Sequence, residues 1–233
     1  MTRLGIIGAM DEEIEILKDN MDIEDTINLA GMNFYKGIIG NVDVILVRCG
    51  IGKVNAAVCT QILASNFDVT HIINTGVAGA VHGDLNVGDI VISSDVIEHD
   101  FDATGFGYKL GEIPRMDTYI FEADKKLVDL AFNASKSETV KHNTVIGRIL
   151  SGDVFVACPD KKNHLWDHFE GYCTEMEGAS IGHTSYLNNI PFVIIRAISD
   201  KADGTAHENF NEFVLEAAKN SSDILMKILK QLK

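Results

Sequence analysis

The sequence predicts an α/β fold: a single domain in which a twisted, mixed central β-sheet is flanked by helices on both faces. Three observations carry this. Short apolar runs alternate with amphipathic helical stretches along the chain, which is the order βαβ units produce, and it makes most of the sheet parallel. One pair of runs is joined by a two-residue turn, which adds an antiparallel hairpin. A hydrophobic share of 46% over 233 residues supplies a sizeable core. That length alone also permits two domains, but no linker, repeat or low-complexity tract divides the chain, so 1–233 reads as one.

"RLGIIGAM" reads as a buried strand, and "DEEIEILKDN" starts a helix whose first-turn carboxylates suit the positive end of its dipole. "NFYKGII" and "DVILVRCG" pair as strands through a turn at Gly40-Asn41. "GKVNAAVCTQILASN" is helical, "THIINTG" is a strand closing in a glycine turn, and "VGDIVISSDVIEHD" is a further strand. An irregular stretch follows, "FDATGFGYKLGEIPRMDTYIF". Then come an amphipathic helix in "EADKKLVDLAFNASK", a strand in "NTVIGRILSGD", and a short helix in "CPDKKNHLWDHF" with Pro159 near its start. "EGASIGHTSYL" is a helix of small residues, "PFVIIRAISD" a strand, and "ENFNEFVLEAAKNSSDILMKILKQLK" the closing helix, apolar at three-to-four spacing. Function in such sheets gathers at the carboxyl ends of strands. Here those ends are "GAMDEE", "CGIGK", "NTGVAG", "SGDVFV" and "RAISD".

The formal charge of −14, from 20 basic and 34 acidic residues, repels phosphate backbones and anionic lipid. Neither nucleic acid nor a membrane surface is expected as a partner. Cys49, Cys59, Cys158 and Cys173 are scattered without a CxxC, as buried or incidental thiols of a reducing compartment are. "MTRLGIIGAMDEE" has too short an apolar run for a signal peptide or an anchor. A soluble, cytoplasmic protein is expected.

Several motifs fail. "CGIGKVNAA" suggests a nucleotide loop, but a P-loop needs Gly and Ser or Thr where Val47 and Val54 stand, and a dinucleotide fingerprint needs Gly at Asn55. A tight turn with close helix packing is the plainer reading. His164 and His168 lie one helical turn apart, yet no third zinc ligand accompanies them. His99, Asp100 and Asp102 read as a polar loop before they read as metal ligands. No GxSxG is present. Phe210 and Phe213 read as core by spacing.

Three carboxylates resist explanation by solvation. Glu13 follows the first strand, Glu177 lies in "TEMEGAS" beside small residues, and Asp200 ends an apolar run that also holds Arg196 and Ser199. Each has a plain role available: a first-turn charge, a helix start, and an ion pair with Arg196. Together they suggest a site where one acid donates a proton and another activates water.

"GIIGAMDEE", "GIGKVNAA", "IINTGVAG", "VGDIV", "HDFDATGFGY", "SGDVF", "EMEGAS" and "RAISDKAD" occur in this order. They resemble the bacterial 5′-methylthioadenosine/S-adenosylhomocysteine nucleosidases, of the nucleoside phosphorylase/hydrolase superfamily, from Gly5 to about Phe213. The resemblance implies a phosphorylase/hydrolase-like fold and hydrolysis of the N-glycosidic bond, with no metal and no organic cofactor. Asp200 matches the acid that protonates adenine N7, oriented by Ser199. To serve near neutrality its pKa must be raised by desolvation or neighbouring carboxylates. Glu13 matches the residue that polarises the attacking water, and Arg196 is expected to serve Glu13 and that water. Glu177 matches the residue at the ribose hydroxyls, with Glu175 and Met176 of the same "EMEG" beside the sugar. Phe155 would stack on adenine, and the backbone of Val156 would read its edge. Met10, Ile51 and Phe210 would line the slot for the 5′-alkylthio group.

The irregular stretch matches a homodimer interface, in which Phe106, Tyr108 and Pro114 of the partner subunit help close the pocket; a self-packed surface loop is the plainer alternative. Val77 departs from the family, which commonly has Ser there. If that hydroxyl holds the water, backbone or Arg196 must replace it. Gly105, Gly178 and Val156 are small or conservative departures. The expected substrate is a small nucleoside.

Overall fold

The computed structural model describes residues 2–136 and 142–231, which form one ten-stranded mixed sheet and six α-helices. The first half runs β1 (Arg3–Gly8), α1 (Asp11–Asp19), β2 (Asp22–Leu29), β3 (Met32–Ile39), β4 (Val42–Arg48), α2 (Lys53–Asn66), β5 (His71–Ala80) and β6 (Ile90–Glu98). The second runs β7 (Phe121–Glu122), α3 (Lys125–Ser135), β8 (Thr144–Ser151), α4 (Pro159–Phe169), β9 (Cys173–Glu175), α5 (Gly178–Leu187), β10 (Phe192–Asp200) and α6 (Ala206–Gln231). The closing helix was expected to reach residue 233; residues 232 and 233 lie outside the described residues.

Strands β2, β3, β4, β1 and β5 lie side by side, and then the sheet forks. The first residues of β5 pair with β1, residues from Ile72 to Gly79 pair with β10, and its last two pair with β9. From β10 the sheet continues through β6 and β8 back to β9. Five strands, β5 among them, therefore close a ring.

The strands alternate as two-sided burial demands. Leu4, Ile6, Val44, Leu46, Val193 and Ile195 face a core beneath α1, α3 and α6, while Ile7, Ile45, Val47, Ile194 and Ile198 face a second core beneath α2 and α5. Each fully buried aliphatic side chain contributes about 1.5–3 kcal/mol. These two layers hold the ring in place.

Three expectations need correction. Among the described residues parallel pairings do not dominate as expected but are matched in number by antiparallel ones, β2–β3, β3–β4, β10–β6, β5–β9 and β6–β7. The strand expected to end at a glycine turn runs through Gly76 to Ala80, because β10 pairs along it as far as Gly79. Strand β2 does not stand out in the sequence because "DIEDTINL" is solvent-exposed at most positions, the composition that shields a sheet edge. Strands β7 and β9 are two and three residues long, too short for a pattern.

Candidate active site

The segments after β1, β4, β8 and β9 and the last residues of β5 and β10 converge on a cavity of about 420 Å³. All five expected strand ends contribute to it. Met10, Glu13, Ile51, Val77, Phe155, Glu175, Met176, Glu177, Ser199, Asp200 and Phe210 line it. Val156 lines a smaller adjoining cleft of about 30 Å³, shared with Phe155 and Asp200. Arg196 lies behind the wall, with no exposed surface.

Arg196 organises one side. Its Nη2 donates to Asn74 Oδ1 at 2.5 Å and to Glu175. Glu13 Oε1 lies 3.8 Å from Nη1, and Glu177 Oε2 lies 3.7 Å from Nη2. The expected service to Glu13 is therefore an ion pair without a hydrogen bond, and Glu175 is the direct partner. Glu175 also accepts from Ser151 Oγ and from the N–H groups of Glu177 and Gly178. It thus covers the start of α5, the plain role open to Glu177, and leaves Glu177 to face the cavity.

Glu13 does two things at once. Its Oε2 accepts from Ala9 N at 2.6 Å and from Met10 N at 3.0 Å, which closes the first turn of α1. Its Oε1 accepts from Val77 N at 3.0 Å, so Val77 meets Glu13 through its backbone. Burial raises the Glu13 pKa; Arg196 and the three backbone donors oppose that rise. Glu177 Oε1 accepts from Gly52 N at 2.8 Å, and burial with Glu175 nearby pushes its pKa up. Gly76 is obligatory here, because a Cβ would collide with both Arg196 and Glu13.

Asp200 occupies another part of the cavity wall. It has no ion pair with Arg196, against the plain expectation; the guanidinium is claimed by Glu175, Glu13 and Glu177. Ser199 Oγ donates to Asp200 Oδ1 at 2.8 Å and Ala202 N to Oδ2 at 2.9 Å. Burial raises the Asp200 pKa, and those two hydrogen bonds only moderate the rise.

A model of the phosphorylase superfamily matches residues 3–230. The 5′-methylthioadenosine/S-adenosylhomocysteine nucleosidase of Staphylococcus carnosus is 45% identical over 230 residues, 98% of this chain and 100% of its own. The nucleosidase of the same name from Neisseria meningitidis, solved in complex with methylthio-immucillin-A, superposes with a TM-score of 0.95 at 37% identity over 100% of both chains. Futalosine hydrolase of Helicobacter pylori superposes at 0.94 with 31% identity, over 99% of this chain and 98% of that one. The chain belongs to the 5′-methylthioadenosine/S-adenosylhomocysteine nucleosidases of the phosphorylase superfamily. It is an N-glycosidase.

Within this nucleosidase, some cavity residues escape sequence reasoning. His207 and Asn211 join Phe210 on one face of α6, and the His207 ring lies 4.7 Å from that of Phe155. Helical spacing from Phe210 was the available signal. Asn74 and Ser151, the first residues of the strand ends "NTGVAG" and "SGDVFV", carry the polar network, a role the sequence reading did not give them. Phe213, expected as core, is half-buried beside a separate cleft. The His164 and His168 rings on α4 meet at a tilt of 35° with centroids 4.0 Å apart, and among the described residues no group of three or more His, Cys, Asp or Glu is placed to hold a metal. Asp100 binds Lys53 and Asp102 binds Thr104. Phe106 is 87% exposed, and neither it, Tyr108 nor Pro114 lines this chain's own cavity. No helix among the described residues is long and apolar enough to cross a membrane.

Two outcomes follow for stability. Arg196→Met strands buried carboxylates without their cation, and urea unfolding will show a loss of about 3–5 kcal/mol. Asp200→Asn acts with pH. An acid with a raised folded pKa holds its stability contribution below the ordinary carboxylate range near 3.8, and loses it as pH rises through the folded value. Asparagine has no proton to lose. The difference between variant and wild-type urea midpoints will shift in the variant's favour from about pH 4.5 to about pH 7.5.

Proposed function

We propose that this nucleosidase hydrolyses the N-glycosidic bond of 5′-methylthioadenosine and S-adenosylhomocysteine, and accepts 5′-deoxyadenosine, releasing adenine. The observation that carries this is the division of the cavity: Asp200, buried and in no ion pair with Arg196, lies apart from a cluster of three carboxylates around that guanidinium. Adenine leaves ribose poorly unless its ring is protonated, because N9 would otherwise depart as an anion. A carboxyl group kept protonated by burial can supply that proton to N7. Ser199 orients it.

Glu13 activates the attacking water. The raised pKa of its buried carboxylate strengthens it as a base. Arg196 Nη1, buried without a hydrogen-bond partner among the described residues, lies close enough to Glu13 for one water to bond both. Glu177 binds the ribose hydroxyls and, with Glu175, stabilises the positive charge that develops on the sugar. Met176 packs beneath the ribose, Phe155 stacks on the base, and Val156 reads the base edge from its cleft. Met10, Ile51 and Phe210 take the 5′-alkylthio group.

The exposed Phe106 supports a homodimer, in which Phe106, Tyr108 and Pro114 of the partner subunit complete the pocket. The chain then acts as one domain over 1–233 in the cytoplasm, recycling by-products of S-adenosylmethionine and salvaging methionine.

Phosphorolysis is the nearest rival, and it needs a cationic cradle for phosphate. Among the described residues lining the cavity there is no lysine or arginine, and the one guanidinium behind it is already engaged by three carboxylates. A binding protein without catalysis has no use for an acid and a base held apart in one cavity. Another adenine or modified-purine nucleoside hydrolase would differ in the 5′ slot, which a panel of 5′-substituted adenosines scored for free base tests.

Free adenine will be released from 5′-methylthioadenosine at the same rate with and without phosphate; turnover that requires phosphate defeats the hydrolase reading. Asp200→Asn will lower kcat about 100- to 10,000-fold, the usual span for a general acid, while ligand binding persists. The pH profile of kcat will be bell-shaped, with a low-pH and a high-pH limb, because turnover needs Glu13 ionised while Asp200 holds its proton. Loss of the high-pH limb only by changing Ser199, with Asp200→Asn fully active, would remove the proposed acid.

A further inference from the structure

Three loops at the rim of the cavity are tied in a ring by charged residues. Lys53 begins α2 directly after Gly52. Its backbone N–H donates to Asp153 Oδ1 at 2.8 Å, and the Asp153 N–H donates to Asp100 Oδ2 at 2.9 Å. Lys53 Nζ then donates to Asp100 Oδ1 at 2.6 Å, which closes the ring across the segments after β4, β6 and β8. Lys53 Nζ also lies 3.4 Å from Glu98 Oε2, and Glu98 Oε1 lies 3.1 Å from His183 Nδ1. The Lys53 and Glu98 side chains are only 18% and 11% exposed, so these charges are less screened than ordinary surface pairs.

The ring holds a donor that reaches into the site. Gly52 has a φ of +98°, a backbone conformation suited to glycine, and a Cβ there would sit 3.1 Å from Asp153 Oδ1. Its N–H donates to Glu177 Oε1 at 2.8 Å. Two successive N–H groups at the start of α2 thus serve two carboxylates, Glu177 in the cavity and Asp153 at the rim. Fixing the second aims the first.

We propose that Lys53 is a positioning residue for Glu177: by closing the ring with Asp100 and Asp153, it holds the Gly52 N–H against the carboxylate that contacts the ribose hydroxyls. This rests on the ribose-binding role given to Glu177 above. A rim ion pair that served stability alone would lower the melting temperature and treat every substrate alike. A pair that aims Glu177 weakens recognition of the sugar hydroxyls specifically.

The test compares 5′-methylthioadenosine with its 2′- and 3′-deoxy counterparts in Lys53→Met, Lys53→Arg and Asp100→Asn, with the melting temperature of each. Lys53→Met will lower kcat/KM on the ribonucleoside about tenfold, the effect of one lost charge-assisted hydrogen bond. The deoxy counterpart lacking the hydroxyl that Glu177 holds will lose about threefold or less, so the preference for the ribonucleoside shrinks. Lys53→Arg will retain most of that preference. Asp100→Asn will follow Lys53→Met, and decides the matter should Lys53→Met fail to fold. Equal losses on all three substrates, or none, overturn the role of Lys53 while the nucleosidase reading stands. A wild-type protein that releases no base, or that ignores the hydroxyls, overturns the reading itself and this role with it.

Discussion

A guanidinium with no exposed surface, set among three carboxylates, constrains the rest of this structure. Removing such ions from water costs several kcal/mol each, and attraction offsets that cost only when the remaining lone pairs find donors. Glu13 takes three backbone N–H groups, Glu175 takes two and a serine hydroxyl, and Glu177 takes one. Most of those donors belong to segments at strand ends. Satisfying the cluster therefore fixes the loops after β1 and β4 and the turn into α5. Gly76 follows from the same demand, since only a residue without a side chain lets β5 pass between Arg196 and Glu13.

The cluster also sets the sign of the cavity. Three acids to one base leave an excess of negative potential when the acids are ionised. In the proposed mechanism that excess opposes an entering anion and favours a sugar that becomes cationic in the transition state. Water needs no cationic cradle. The arrangement that discourages phosphorolysis is thus the one that assists departure of a protonated base.

Much of this was legible in the chain. The long strands and all six helices follow from apolar runs and helical periodicity, and the acids at the strand ends are visible because charge is hard to explain beside buried sequence. The fork of β5 was not legible. Pairing with β1, β10 and β9 in turn depends on contacts between distant segments, and no local pattern records it. Arg196 shows the same limit: its presence in a buried strand signals a partner, but Glu13, Glu175, Glu177 and Asp200 were all available. Only the three-dimensional arrangement gives it to Glu175. Asn74 and Ser151 stand in strand ends the sequence singled out, but their role was not legible, because a buried polar residue in a strand looks the same whether it serves a network or merely satisfies itself.

The placement of Arg196 relative to Asp200 carries the last step. Both lie on β10, four residues apart, and a strand advances about 3.3 Å per residue. That separation alone removes Asp200 from direct contact with the guanidinium by about 13 Å along the strand. A register irregularity between Ile198 and Asp200 adds to it: Ile198 pairs with Ala78 but Asp200 with Gly79, so Ser199 is an extra residue. Such a bulge re-aims the side chain that follows. A regular strand would present Asp200 on the face that carries Arg196, closer in environment to the ionised cluster. The bulge gives Asp200 instead a hydroxyl and one backbone N–H, donors too few to cancel the effect of burial. One strand therefore delivers the cation that steadies the proposed base and the acid that the cation must not reach.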